Sequence, residues 1–407
     1  MPSQPDGPRL TLLGRLFILT FMAACAYGAW QLFSRPQTSP SPSQPAEKSG
    51  AATPAPSEAP GKPAHGVTVR ISYGTEKKRW LEWAVTEFAR TPEGRGITVE
   101  LIPQGSLEGA RSVVSGKERI HVWSPASSAY KNVFLQEWQL AQGNSDAIVR
   151  EEALALTPMI FVFWKERYDA FLSKYREVSF DTIGTALQEP AGWSGIASKP
   201  EWGFFKYGHS DPSQSNSGLL GLVLYAQHYH KKNASLAMAD VMDAGFNQWL
   251  RGFARNVAGM SNSTGTMMRD MVLKGPASYD CLLVYESVAI DYLKNAEGRW
   301  GALQVAYPTH NIWNDNPYYI INAPWSTVED RKAADAFLNY LLGEAAQKQA
   351  LVHGFRPAEP NVSLKNADSP FILHANQGLR IEIPSICEAP KADALTNLLV
   401  GWQRARE

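Results

Sequence analysis

Cysteine is scarce: Cys25, Cys281 and Cys387 are the only three in 407 residues. No two stand at the spacing of a zinc or redox motif. Cys25 lies in an apolar run near the N-terminus, which leaves at most one disulfide, Cys281–Cys387, with two buried free thiols as the alternative. An excess of either charge is also missing. Lys and Arg total 39, as do Asp and Glu, and so balanced a chain lacks the basic patch of a nucleic-acid binder. No GxxxxGK[ST], HExxH, GxSxG or GxGxxG stands in the sequence. The eight histidines are scattered, and no Ser/His/Asp or paired-carboxylate constellation emerges from spacing. Nothing in these patterns asks for catalysis, and no catalytic residue, metal ligand or cofactor is assigned.

One long apolar run is present. Residues Leu16 to Phe33 carry no charge over 18 positions, about 27 Å as a helix, just short of a hydrocarbon core of ~30 Å. Arg9 and Arg15 precede it, so residues 1–15 are expected to stay in the cytoplasm. Met22-Ala23-Ala24-Cys25 resembles a bacterial lipoprotein box, yet the chain stays apolar after Cys25. Three readings of 16–33 remain open: an uncleaved signal anchor, a lipoprotein signal that leaves Cys25 lipidated, and a cleaved secretion signal. All three put the rest of the chain outside the cytoplasm. Residues 34–66 are rich in Pro, Ser, Ala and Gly and nearly devoid of large apolar side chains. They read as an extended linker that cannot bury enough surface to offset its own ordering entropy.

From Val67 the pattern is that of an α/β domain. Strands are expected at Val67–Gly74, Ile97–Pro103, Ile120–Pro125, Leu156–Trp164, Trp193–Ile196, Cys281–Val284, Gln304–Ala306 and Tyr318–Asn322. Helices are expected at Glu76–Arg90, Leu107–Ser115, Ser128–Leu140, Gly218–His230, Met238–Trp249, Thr266–Leu273, Ser287–Asn295, Val328–Leu342 and Ala345–His353. Such alternation implies mostly parallel sheets flanked by helices, which bind ligands at the carboxyl ends of their strands. The turns there carry small hydroxyl residues: Ser72-Tyr73-Gly74-Thr75, Gln104-Gly105-Ser106, Ser124-Pro125-Ala126-Ser127-Ser128 and the segment from His209 to Gly218. Helix N-termini offer free N–H groups to a small polar ligand, although Ser and Gly also cap helices in most proteins. Thr264-Gly265-Thr266 reads as a cap. Tyr279-Asp280 and Tyr285-Glu286 bracket the strand CLLV, and Glu286 reads equally as a ligand contact or a first-turn acid.

The segments SYGTEKKRW, the GS of PQGSLEGA, HVWSPASSAY, ALTPMIFVFW, GHSDPSQSNSGLLGL, SYDCLLVYES, AYPTHNIWNDNPYYII and HGFRPAEP, in that order, resemble a bacterial extracellular solute-binding family. That family lies within the type II periplasmic-binding superfamily, with the molybdate- and sulfate-binding proteins and with members fused to von Willebrand factor A domains. The resemblance covers residues 67–407 and implies two lobes hinged about crossover segments near Thr157-Pro158 and Tyr307-Pro308. Lobe one comprises 67–158 and 306–407, lobe two 159–305. By the same likeness Gly74, Thr75, Ser106, Ser127 and Ser128 face the cleft from lobe one, and Ser215, Asn216, Ser217, Tyr279 and Glu286 from lobe two. The implied function is capture of a small polar ligand, an oxyanion favoured, for a membrane permease or a sensor. The departure is charge: Asp280 and Glu286 would repel an anion if both were ionised beside it. They point away, or one is protonated, or the ligand is cationic or zwitterionic. Iron-binding relatives use tyrosinates and carboxylates, so Tyr279, Tyr285 and Glu286 keep a metal-chelate binder open, and a surface scaffold or adhesion protein reusing the fold is a further alternative.

Overall fold

The computed structural model describes residues 66–407, except 297 and 384. The expected N-terminal region, the anchor or lipoprotein signal with Cys25, and nearly all of the linker lie outside the described residues. Among the described residues, no helix is long and apolar enough to cross a membrane.

Two sheets organise the chain. The first holds β1 (Val67–Tyr73), β2 (Ile97–Pro103), β3 (Val122–Ser124), β4 (Ile148–Ala153) and β10 (Pro317–Ile321), in the order β2-β1-β3-β10-β4. The second holds β6 (Met159–Trp164), β7 (Tyr207–His209), β8 (Cys281–Tyr285) and β9 (Leu303–Ala306), in the order β7-β8-β6-β9. A two-stranded pair, β5 (Ala155–Leu156) with β11 (Arg356–Pro357), lies beside the crossover. This is the two-lobed α/β architecture, but the sheets are mixed where mostly parallel ones were expected. β1 pairs in parallel with β2 and β3, and β7 with β8. β10 and β6, which flank the crossover, run antiparallel to both their neighbours. Strands that pass the chain between lobes need not follow the right-handed helix crossover that makes neighbours parallel.

The second sheet is built on burial of both faces. β6 (MIFVFW) and β8 (CLLVY) are buried at every position, as expected of continuous apolar runs at a sheet centre. The helix Asn216–His230 is buried from Asn216 to Gln227, so it shows no polar face. In the first lobe Val69, Ile71 and Tyr73 pack with Trp80, Phe88, Phe337 and Leu341 in one apolar cluster.

Several elements differ from the sequence reading. Trp193–Ala197 is a short helix, not a strand, since a stretch as short as Trp-Ser-Gly-Ile carries no period to choose between them. Met238–Trp249 divides into Met238–Val241 and Ala244–Ala254, because the Asp243 side chain accepts from the Phe246 N–H and starts a new helix. The end of the chain does not return to lobe one. Helix Ala392–Arg406 packs on helices Asn216–His230, Met238–Val241 and Ala244–Ala254 of lobe two, burying Ala394, Leu395, Leu398 and Trp402 on one face. Cys281 and Cys387 are both buried and both free, so the disulfide reading fails.

Candidate functional site

The carboxyl ends of β1, β2 and β3 emerge along one edge of the first sheet. They deliver Gly74–Glu76, Gln104–Ser106 and Ala126 to a cleft. Opposite stand Ser215 and Asn216 at the start of one helix, Asn262–Thr264 at the start of another (Thr264–Lys274), and Tyr285 at the end of β8. These residues enclose about 30 Å³, room for a water or two. The space widens into a mouth of about 470 Å³ lined by Arg79, Glu108, Arg269 and Tyr292 among others. The two walls come close: Thr75 Oγ1 lies 3.5 Å from Ser263 Oγ, and a Cβ on Gly105 would stand 3.0 Å from the Gln214 carbonyl oxygen. A larger residue at 105 would hold the lobes apart.

Behind the cleft wall lies a buried charge pair. Lys77 is fully buried, and its ammonium donates to Glu76 Oε1 at 2.6 Å, the Pro125 carbonyl at 3.1 Å and Asn316 Oδ1 at 3.1 Å. All three ammonium hydrogens are thus engaged. Burial pulls the Lys77 pKa down and Glu76 pulls it back up. The Glu76 side chain is 6% exposed and lines the cavity. On the other wall Asn216 is 3% exposed; its Nδ2 donates to Tyr285 Oη at 2.7 Å and to Asn314 Oδ1 at 2.8 Å. Asn314 Nδ2 in turn donates to the Thr157 carbonyl at 3.1 Å.

A model of the family described as bacterial extracellular solute-binding protein matches residues 69–356. The chain belongs to that family. No curated protein matches it significantly in sequence. Among solved structures, a periplasmic thiamin-binding protein is similar with a TM-score of 0.56 at 13% identity, over 84% of this chain and 96% of that one. The sulfate-binding protein SubI from Mycobacterium tuberculosis H37Rv gives 0.53 at 15%, over 81% and 96%. Iron-bound HitA from Pseudomonas aeruginosa gives 0.52 at 15%, over 83% and 99%. At these identities the likeness is one of fold.

In this solute-binding chain the polypeptide passes between the lobes at residues 157–158, at 307–316 and again after β11, and three asparagines secure the first two passages. Asn311 Oδ1 accepts from the Met159 N–H at 2.9 Å while its Nδ2 donates to the Met159 carbonyl at 2.7 Å. Asn314 and Thr157 exchange backbone hydrogen bonds of 3.0 Å in both directions. Asn316, at φ 44°, donates to the Ala155 carbonyl and accepts from Lys77; Asn tolerates that left-handed backbone better than most residues. The hinge and the cleft wall therefore share one hydrogen-bond network.

Five of the ten expected site residues line the cavity: Gly74, Thr75, Ser106, Ser215 and Asn216. The other five do not. Ser127 caps the turn Ser128–Tyr130, its Oγ accepting from the Ala129 N–H at 3.2 Å. Ser128 is exposed and its N–H donates to Asp315 Oδ1 at 2.8 Å. Tyr279 turns its hydroxyl to the Gly259 carbonyl. Ser217 is fully buried in a hydroxyl cluster, 2.6 Å from Ser210 Oγ and 3.0 Å from Ser215 Oγ. Glu286 is fully buried with its carboxylate on Arg356, at 2.8 Å to Nε and 2.9 Å to Nη2, and accepts from the Tyr307 hydroxyl. Asp280 is likewise withdrawn: it accepts from the Lys206 N–H at 2.8 Å and from Trp193 Nε1 at 3.1 Å, with Arg167 Nε 3.1 Å away. Of Tyr279, Tyr285 and Glu286, only Tyr285 reaches the cleft, and burial pushes its hydroxyl well above the usual pKa of a tyrosine.

Sequence reasoning missed Glu76, Lys77, Asn262 and Asn314. The pair Glu76-Lys77 reads as ordinary first-turn charges; only the strand-to-helix position just after Gly74 hinted at more. One consequence is testable. Because Ser217 lies within the wall and not on its surface, Ser217→Ala is expected to cost about 1 kcal/mol of stability and leave solute affinity unchanged. Chemical unfolding and calorimetry on the same samples check both halves.

Proposed function

We propose that this protein captures a small polar solute between its two lobes and presents it to a membrane permease or a sensor, held outside the cytoplasm by the apolar segment 16–33. The observation that carries the reading is the cleft itself, in which strand ends and helix starts converge on one cavity with a polar lining. Binding between two lobes is the arrangement expected of the family and of the fold shared with the thiamin-, sulfate- and iron-binding proteins named above. A permease partner follows from that likeness. The tether follows from residues 16–33 together with Arg9 and Arg15.

A solute that binds the folded form alone stabilises it by RT ln(1 + [L]/Kd), about 2.7 kcal/mol at a hundredfold excess over Kd. Thermal unfolding of the full-length protein against polar solutes should show one class that raises the midpoint in a saturable way. Asn216→Leu should abolish the rise, since it removes the amide that joins cavity and hinge. A midpoint rise that survives in Asn216→Leu would place binding outside this cleft.

A further inference from the structure

Two acceptors in the cavity lining are left without a full set of protein donors. The direction of the asparagine relay is fixed from its far end. The Thr157 carbonyl only accepts, so Asn314 must present Nδ2 to it and Oδ1 to Asn216. Asn216 must answer with Nδ2, which also reaches Tyr285 Oη. Asn216 Oδ1 is left buried without a partner, in a side chain that lines the cavity. Such an acceptor is costly unless something donates to it. The second acceptor is Glu76. Its Oε1 takes Lys77, but Lys77 has no hydrogen left for Oε2, and the carboxylate lines the same cavity and its mouth.

The geometry points to a solute that carries a protonated nitrogen, donating to Asn216 Oδ1 and to the Glu76 carboxylate. This rests on the solute-binding reading above and departs from the oxyanion that the sequence suggested. A bare oxyanion brings only acceptors, so it would sit against a carboxylate and leave Asn216 Oδ1 unanswered. A protonated amine or amidine meets both groups, and its charge faces Glu76. The starts of helices Asn216–His230 and Thr264–Lys274 then remain for any acceptor atoms on the same molecule, which accommodates a zwitterion as well as a simple cation.

Calorimetric titration of the full-length protein separates the cases, with putrescine, benzamidine and glycine as nitrogen probes and sulfate, phosphate and molybdate as oxyanion probes. The expected result is saturable binding of a nitrogen probe, silence from the oxyanions, and at least tenfold weaker binding of that probe in Glu76→Gln. Because Glu76→Gln also alters the partner of Lys77, its unfolding midpoint is measured alongside. On the wild-type protein, 1,4-butanediol in place of putrescine, or an acetate in place of glycine, gives the same comparison without mutation, and loss of binding is expected. Oxyanion binding that is unchanged or tighter in Glu76→Gln would overturn the inference and leave the solute-binding reading standing. Silence from every probe of both classes would count against both.

Discussion

Truncating Arg356 to alanine is expected to destabilise the folded protein by about 3–5 kcal/mol, the range for breaking a buried ion pair from one side. Arg356 is a structural clamp. Two of its nitrogens engage both oxygens of Glu286, and the same guanidinium donates to the Arg380 carbonyl at 2.6 Å and to the Ile381 carbonyl. The ring of Phe371 lies 4.7 Å from it. The pair joins helix Glu286–Ala296 of lobe two to β11 and the segment after it. Without Arg356, Glu286 keeps only the Tyr307 hydroxyl in a fully buried place. Burial already raises the Glu286 pKa above the usual carboxyl value, and Arg356 restrains that rise. A carboxyl whose pKa is higher folded than unfolded binds more protons in the folded state, so its contribution is full below the unfolded pKa and is lost as pH rises through the folded one. Arg356→Ala raises the folded pKa further. The defect should therefore be larger at about pH 8 than at about pH 5. The double variant Glu286→Leu/Arg356→Met should recover most of the loss, because it leaves no buried charge. Urea unfolding at both pH values measures all of this; a loss below about 1 kcal/mol, or one independent of pH, would contradict the assignment.

Lys77→Met is expected to cost as much, about 3–5 kcal/mol, and to remove solute binding too. The methionine fills the volume but supplies none of the three hydrogen bonds, so Glu76, the Pro125 carbonyl and Asn316 Oδ1 all lose their donor. Lys77→Arg should not rescue, since a planar guanidinium cannot reproduce three diverging ammonium bonds in a fully buried site. Glu76→Gln/Lys77→Met should regain part of the stability without regaining affinity. Paired chemical unfolding and calorimetry check this, and a stable Lys77→Met protein with unaltered solute response would show that the ammonium is not what organises the cleft wall.

What the sequence made legible follows from the range of the forces involved. β6 and helix Asn216–His230 are local: their apolar runs are long enough to declare burial by themselves. β4 (IVREEA) went unseen because it is a half-exposed edge strand, with Arg150, Glu151 and Glu152 on it, and edges carry charge where centres carry valine. In the site, the turns at strand carboxyl ends bring Gly74, Thr75, Ser106, Ser215 and Asn216 to the cavity lining. Tyr285, the last strand residue, faces the cleft, whereas Glu286 opens the next helix and turns to an arginine 70 positions away. Lys77 and Asn314 were beyond sequence reasoning for the same cause: their partners Asn316 and Asn216 lie 239 and 98 residues away.

The central claim is that the two lobes close on a solute, and small-angle X-ray scattering tests it most directly. The radius of gyration of the full-length protein should fall, saturably, with the same solute that raises its unfolding midpoint, and should not respond to solutes that leave the midpoint alone. A solute that stabilises the protein while the radius stays fixed at saturation would contradict closure and leave a rigid scaffold in its place.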